Sequence, residues 1–372
     1  MVLAFGLSCR YNTPAVVTRQ TQAPRERAWV EVNLANLGAN AETVRAAARG
    51  ARLLPMVKAD GYGLGAIPVT RTLMDAVDPW GFGVATVHEG SELRAAGIRR
   101  PIVVFTPALG ESQSQYREHD LQAVLDDRAT IAGWNIPFQL EIDTGMGRSG
   151  IRWDDSSLGA CRTPRLAGVF MHFHSAEHDP DSVRRQWDRF QQAVRALGKR
   201  PPLVYAANSA AVWHFDVPLD LVRPGIFLYG CRPSRDIPPP KPVAILRARV
   251  VSTRVIQSGE SVSYGAEWVA SRDTLVATIA LGYADGLPRV VQGKAEVLIR
   301  GRRHPLIGRV TMDMTMADVT GSPVAAGDVA TYVGRDRDEE ITWDDLAGWA
   351  GTNTYEMLSR LGSRVERVYV GA

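Results

Sequence analysis

Cysteine is scarce in this 372-residue chain, present only as Cys9, Cys161 and Cys231. An odd, scattered set with no Cys-x-x-Cys spacing excludes a disulfide framework and a thiolate metal site, and the expectation is a reducing compartment, the cytoplasm. No apolar run approaches the roughly 20 residues that a membrane helix needs. An excess of one charge is missing too. Forty-three Lys and Arg face 40 Asp and Glu, a net +3, so no basic stripe recommends nucleic acid as a partner. Internal repeats are absent, and the only biased tract is a short proline cluster. What is present is ordinary for a globular protein: 45% hydrophobic and 22% charged residues. The length exceeds what one core usually organises, so two domains are expected.

Residues 1–27 stand apart. Arg10, Arg19, Arg25 and Arg27 face a single acid, Glu26, and Val2–Leu7 is too short for a signal-peptide core. This stretch is read as a disordered or leader extension. From Ala28 onward, Val/Ile/Leu/Phe-rich runs alternate with helix-period segments. Strands are expected at 29–33, 52–58, 80–85, 101–106, 121–125, 137–143, 166–173, 203–207 and 221–229. Amphipathic helices fall between several of them, at 34–49, 67–77, 88–96 and 182–197. Continuous apolar strands separated by helices argue for a parallel sheet covered on both faces. Eight such units fit an α/β fold of the TIM-type (β/α)8 barrel over residues 28–240. Nine runs compete for eight places, and the first is expected to belong elsewhere. "SRDIPPPKPV" then breaks the pattern, and shorter strand-and-turn periods follow. They predict a mostly β C-terminal domain over 241–372, with a short helix at 343–350.

In such a barrel, polar residues at the strand C-terminal ends converge on one face. Lys58 ends one strand in "MVKADGYGLGA", beside Gly61, Gly63, Gly65 and Tyr62. Burying an ammonium is costly unless it is paired or neutralised, so a lysine delivered there needs a reason. Arg148, His172, Asn208, Ser209, Arg223 and Gly225 end other strands. Taken singly, each has a plain explanation: a snorkelling charge, a helix cap, a satisfied core histidine. Taken together they suggest chemistry. A desolvated lysine loses its proton and can condense with an aldehyde. Ser209, Gly225 and Ile226 stand where late barrel strands cradle a phosphate through backbone N–H groups. An aldehyde and a phosphate together imply pyridoxal 5′-phosphate. No metal site is implied.

The motifs "MVKADGYGLG", "EIDTGMGRSGI", "HFHSAE", "ANSAA", "VRPGIFLYG", "SVSYGAEW", "LGYADGLPR", "IGRVTMDM" and "GTNTYEMLSRLGSRVERVYV" resemble the alanine racemase family, in its order and spacing, over residues 28–372. The resemblance implies a homodimer with shared sites and a two-base reaction on a small amino acid, with neither nucleic acid nor membrane as a partner. It implies that Lys58 holds the cofactor and serves the D face, and that Tyr264 serves the L face from the other subunit. Arg223 would donate to the pyridine nitrogen. Tyr62, Asn208, Ser209, Gly225, Ile226 and Tyr355 would surround the phosphate. Arg148 and Met312 would meet the substrate, and His172 would lie between Tyr264 and Arg223, lending positive charge to the tyrosine.

Several positions depart from the pattern that the resemblance sets, among them the stretch "KADGYG", where "KANAYG" or similar is usual. Glu141 stands where a carbamylated lysine is frequent, and Tyr205 where a histidine is common. His174 replaces a small residue, Glu177 an aspartate and Asn353 an apolar residue near the entrance. The expected function is interconversion of L- and D-alanine, supplying D-alanine for peptidoglycan. The alternatives are a racemase of serine or of broad specificity, a barrel decarboxylase of the same cofactor class, and a non-catalytic cofactor carrier. Arg223 argues against the decarboxylase, and "SVSYG" on a second domain argues against the carrier.

Overall fold

A computed structural model describes residues 27–371, so the expected extension lies almost wholly outside the described residues. Eight parallel strands run around a barrel in the order Arg52–Leu53, Leu221–Val222, Val204–Tyr205, Leu166–Phe170, Phe138–Asp143, Gln122–Leu125, Ile102–Pro107 and Phe82–Val84. A parallel bridge between Met56 and Gly83 joins the two ends. These strands are nearly all apolar because both faces are covered. Leu54, Val103, Val124, Phe170, Leu203, Tyr205 and Leu221 fill the interior. The outward faces meet helices Leu34–Ala47, Ala66–Val77, Val87–Ala95 and Pro180–Ala196. Two of these helix starts have a clear side-chain cause. Asp179 caps Pro180–Ala196 by accepting from Ser182 N, with proline in the first turn, and Thr86 and Glu89 form a capping box.

The surplus run belongs to the second domain, as its count required. Ala28–Asn33 pairs antiparallel with Ala244–Ile256 and parallel with Glu366–Val370. Val30 and Val32 are fully buried there, while Glu31 meets Arg247 at 2.6 Å. The remaining order is Ala244–Ile256, Thr274–Ile279, Thr315–Asp318, Arg302–Ile307, Glu296–Ile299, Val329–Asp336 and Glu339–Ile341. Val329–Asp336 also pairs with Ala244–Ile256, closing six strands on themselves. The first half of Ala244–Ile256 alternates buried and half-buried residues, the pattern of a strand with one face inward. The short helix lies at Trp343–Ala350.

Several strands are shorter than the apolar runs suggest. The run 52–58 is ladder only at Arg52–Leu53 and Met56, and 221–229 only at Leu221–Val222. Beyond Val222 the backbone curls: Leu228 N donates to Gly225 O, and Tyr229 N to Ile226 O. Apolar composition marks burial here, and burial at a barrel mouth is shared by strand ends and turns.

Candidate active site

Lys58 sits where the chain leaves the barrel. Val57 N still donates to Gly83 O at 2.8 Å. The next five residues, Ala59, Asp60, Gly61, Tyr62 and Gly63, all have positive φ, between 52° and 80°. For the three non-glycine residues that backbone costs about 1–2 kcal/mol each, so neighbours must hold it. Glu89 accepts from Ala59 N at 2.7 Å, Asp60 accepts from Ala66 N at 2.8 Å, and Arg367 Nε donates to Gly63 O at 3.0 Å. The left-handed turn carries Tyr62 to the wall of the cavity that Lys58 also lines. Its ring stacks on Tyr229 at 4.4 Å, and the Tyr229 hydroxyl donates to Met56 O.

Lys58, Tyr62, Arg148, His172, Asn208, Ser209, Arg223, Gly225, Ile226 and Tyr355 line one cavity of about 640 Å³. Burial first, then the positive charges of Arg148 and Arg223, hold the Lys58 pKa below its ordinary 10.5, while Glu89 pulls the other way. A larger share of neutral amine results. Arg223 is 4% exposed. Its Nη2 donates to Met171 O at 2.9 Å and lies 3.1 Å from His172 Nδ1. Its Nη1 is buried without a hydrogen-bond partner among the described residues. Burial and the charges of Arg223, Arg148 and Lys58 push His172 down to about 3, so its imidazole is neutral at physiological pH. That corrects the expectation of positive charge on His172. The cation in this corner is Arg223, and a neutral Nδ1 accepts its hydrogen.

Opposite, a Cβ at Gly225 would strike the Tyr62 hydroxyl at 2.4 Å, so only glycine leaves this corner open. Ser209 Oγ accepts from Gly225 N at 2.8 Å, which leaves its own hydrogen free to donate. Asn208 does what a lone Asn before a helix does: its side-chain oxygen accepts from Ala210 N and Ala211 N. It shapes the turn that presents Ser209. Glu141 is buried, accepts from Ser149 Oγ at 2.7 Å and lies 3.4 Å from Arg148 Nη2. Glu141 therefore points inward at the barrel mouth and not into solvent.

Two expected site residues lie apart. Tyr264 is 70% exposed and lines a separate cavity of about 340 Å³ with Thr311 and Met316 on the second domain. Met312 is exposed, and its carbonyl oxygen accepts from Ala284 N. Within one chain neither meets Lys58's cavity. Conversely, sequence reasoning passed over Glu89, which fixes the turn after Lys58, and Phe105 and Phe170, which line the cavity beside Arg223. Their signal was position: both phenylalanines fall in the last turns of barrel strands.

A parallel barrel with a lysine, a buried arginine without a carboxylate partner and a glycine corner at its mouth, followed by a β domain, defines a class of two-domain barrel enzymes with a lysine-centred site. Comparison with known proteins narrows it. The alanine racemase N-terminal domain family matches residues 32–233 and the alanine racemase C-terminal domain family residues 243–369. The alanine racemase of Halothermothrix orenii is 36% identical over 365 residues, covering 92% of this chain and 96% of that one. The crystal structure of alanine racemase from E. faecalis superposes with a TM-score of 0.87 at 30% identity, over 93% of this chain and 98% of that one. A structure from Bartonella henselae, described with covalently bound pyridoxal phosphate, superposes with a TM-score of 0.83 at 25% identity, over 93% and 100%. The chain belongs to the alanine racemase family of isomerases.

Proposed function

We propose that this chain interconverts L- and D-alanine with pyridoxal 5′-phosphate held at Lys58, as a homodimer in which each cavity is completed by a second copy. One observation carries the reading. The cavity holds a lysine with a depressed pKa, an arginine whose Nη1 lacks a partner, and a corner that any side chain at 225 would fill. These residues fit the cofactor. Lys58 supplies the amine for its aldehyde, the Arg223 guanidinium a donor for its ring nitrogen, and Tyr62, Ser209, Gly225, Ile226 and Tyr355 the phosphate corner. When bound, the cofactor supplies the electron sink for the charge left at the α-carbon.

The chain's own residues do the rest. Lys58 Nζ holds or delivers the proton on the D face. The Tyr264 hydroxyl of a second copy does so on the L face, which explains why a tyrosine stands exposed on a strained turn beside Ser263 (φ 70°) and Gly265 (φ 76°). Arg148 receives the substrate carboxylate, with Glu141 behind it, and the Met312 backbone approaches from the partner. A permanently charged donor at Arg223 leaves the ring nitrogen unprotonated, so charge at the α-carbon is short-lived and side reactions are suppressed. D-alanine made in this way would feed peptidoglycan synthesis in the cytoplasm. Chiral chromatography of a panel of L-amino acids incubated with purified protein and cofactor tests the reading, and alanine should turn over fastest. A broader amino-acid scope, serine included, is the second reading, and the polar wall of His174, Glu177 and Asn353 favours it.

A further inference from the structure

Arg223 presents a physical problem that the reaction alone does not solve. Its guanidinium lies inside the barrel mouth, and no carboxylate pairs with it among the described residues. Glu141 acts on it only at longer range and is itself committed to Ser149 and Arg148. What surrounds the cation instead is aromatic. Its Cζ lies 4.8 Å from the ring centre of Phe170, 5.4 Å from that of Phe105 and 5.5 Å from that of Tyr205. The rings brace one another. Phe105 meets Phe170 edge-on at 5.2 Å, and Phe170 stacks on Tyr205 at 5.3 Å. Tyr205 is pinned in turn, its hydroxyl donating to Gln139 Oε1 at 3.1 Å, with Gln139 Nε2 on Gln122 Oε1 at 2.7 Å. All five residues come from different barrel strands or their ends, so closing the barrel builds the cage.

We infer that Phe105, Phe170 and Tyr205 form an aromatic cage that positions Arg223, holding it as a cation without a carboxylate partner at the wall of the cavity. The choice of rings over a carboxylate has a consequence. A paired aspartate or glutamate would take Nη1 into a two-pronged ion pair and lend negative charge to the site. The ring faces stabilise the buried charge through their quadrupoles and accept no directed hydrogen bond from its edge. The guanidinium therefore stays charged and flat, with no carboxylate taking up its donors. The three are positioning residues, since they act through Arg223.

The inference rests on the proposed cofactor chemistry, and its test separates the two. Borohydride trapping of a chromophore on Lys58 in the unaltered holoenzyme checks that chemistry first; without a trapped chromophore the functional reading fails, and this inference with it. With the chromophore present, Phe170→Leu keeps apolar bulk and removes the π face. Its cofactor dissociation constant should rise about thirtyfold, the scale of a desolvated cation–π contact. The holoenzyme's visible absorption band should shift, because the ring nitrogen loses a fixed donor, and kcat should fall more than KM changes. Phe170→Tyr restores a ring and should recover most of the loss. In an Arg223→Leu background, Phe170→Leu should add nothing further to affinity or spectrum, because the cage then holds no cation. Equal effects of Phe170→Leu with and without Arg223, or an unshifted band and unchanged affinity in a folded, loaded Phe170→Leu protein, would overturn the cage.

Discussion

The mouth of the barrel and the exposed face of the second domain handle their reactive groups in opposite ways. Around Lys58 the inner wall is enclosed and cross-braced: Tyr62, Ser209 and Arg223 are each less than 10% exposed. Around Tyr264 almost nothing covers the reactive group, although its turn is strained and tied by Ser263 Oγ to Arg309 O at 2.7 Å. Val255, Val269, Val290, Met312 and Met314 are exposed on the same domain. We read this strained, exposed tyrosine beside its small surface cavity as half of a site, and the barrel mouth around Lys58 as the other half. On the proposed reading, the difference between the two regions is the division of one reaction between two copies of the chain.

Removing the enclosed base should have the largest effect. Lys58→Ala is expected to abolish the borohydride-trappable chromophore and to lower racemisation by at least about a thousandfold. A retained, reducible chromophore would place the cofactor on a different lysine. The depressed pKa gives this residue a pH signature as well. The neutral amine is the nucleophile, so chromophore formation by cofactor-free protein should speed up as pH rises through the Lys58 pKa and level off below the ordinary 10.5. Arg148→Leu removes one of the depressing charges and should move that curve to higher pH.

The exposed base comes next. Tyr264→Phe should slow deuterium exchange from L-alanine by about 10²–10⁴-fold while affecting D-alanine far less. Mixing inactive Lys58→Ala and Tyr264→Ala proteins under subunit exchange tests the division directly. Random pairing leaves one intact site in each mixed dimer, so roughly a quarter of the unaltered activity should return. Demonstrated exchange without recovery would mean that each chain completes its own site.

The two regions also differed in how far their sequences could be read. The barrel was legible because its strands are apolar on both faces and its helices amphipathic, and because counting nine runs for eight places exposed the stray strand at Ala28–Asn33. Lys58 was legible as a charge delivered to a buried end. The left-handed path from Ala59 to Gly63 was only half visible: the glycines announced a turn, but Ala59, Asp60 and Tyr62 give no local sign of positive φ. That conformation is imposed by Glu89 and Arg367, which lie far away in sequence. His172 shows the same limit. A histidine in sequence carries no protonation state, and the burial that keeps it neutral, with the positive charges of Arg223, Arg148 and Lys58 added, arises only after folding. Tyr264 was found through its family resemblance, since a tyrosine near a glycine on a β-rich segment is otherwise a surface strand residue.

The smallest effect is expected at Glu141, and it sharpens the comparison from inside the barrel. This carboxylate stands where a carbamylated lysine is frequent in the family, and it supplies the same sign of charge without a bound carbon dioxide. Activity should therefore be indifferent to dissolved carbon dioxide. Its geometry also sets the size of its contribution. Ser149 Oγ donates to one oxygen at 2.7 Å, a firm anchor, whereas Arg148 Nη2 is 3.4 Å from the other and its side chain is 55% exposed. A contact so long, with one partner in solvent, is worth about 0.5–1.5 kcal/mol, or about two- to tenfold in an equilibrium. Glu141→Gln keeps the Ser149 bond and removes the charge behind Arg148. The Michaelis constant for alanine should rise by that factor, because the arginine meets the substrate carboxylate less well aligned, while cofactor affinity and the Lys58 chromophore stay as they were. An unchanged Michaelis constant would show that Arg148 is oriented by the substrate alone. A lost chromophore would show that Glu141 supports the barrel mouth and not the arginine.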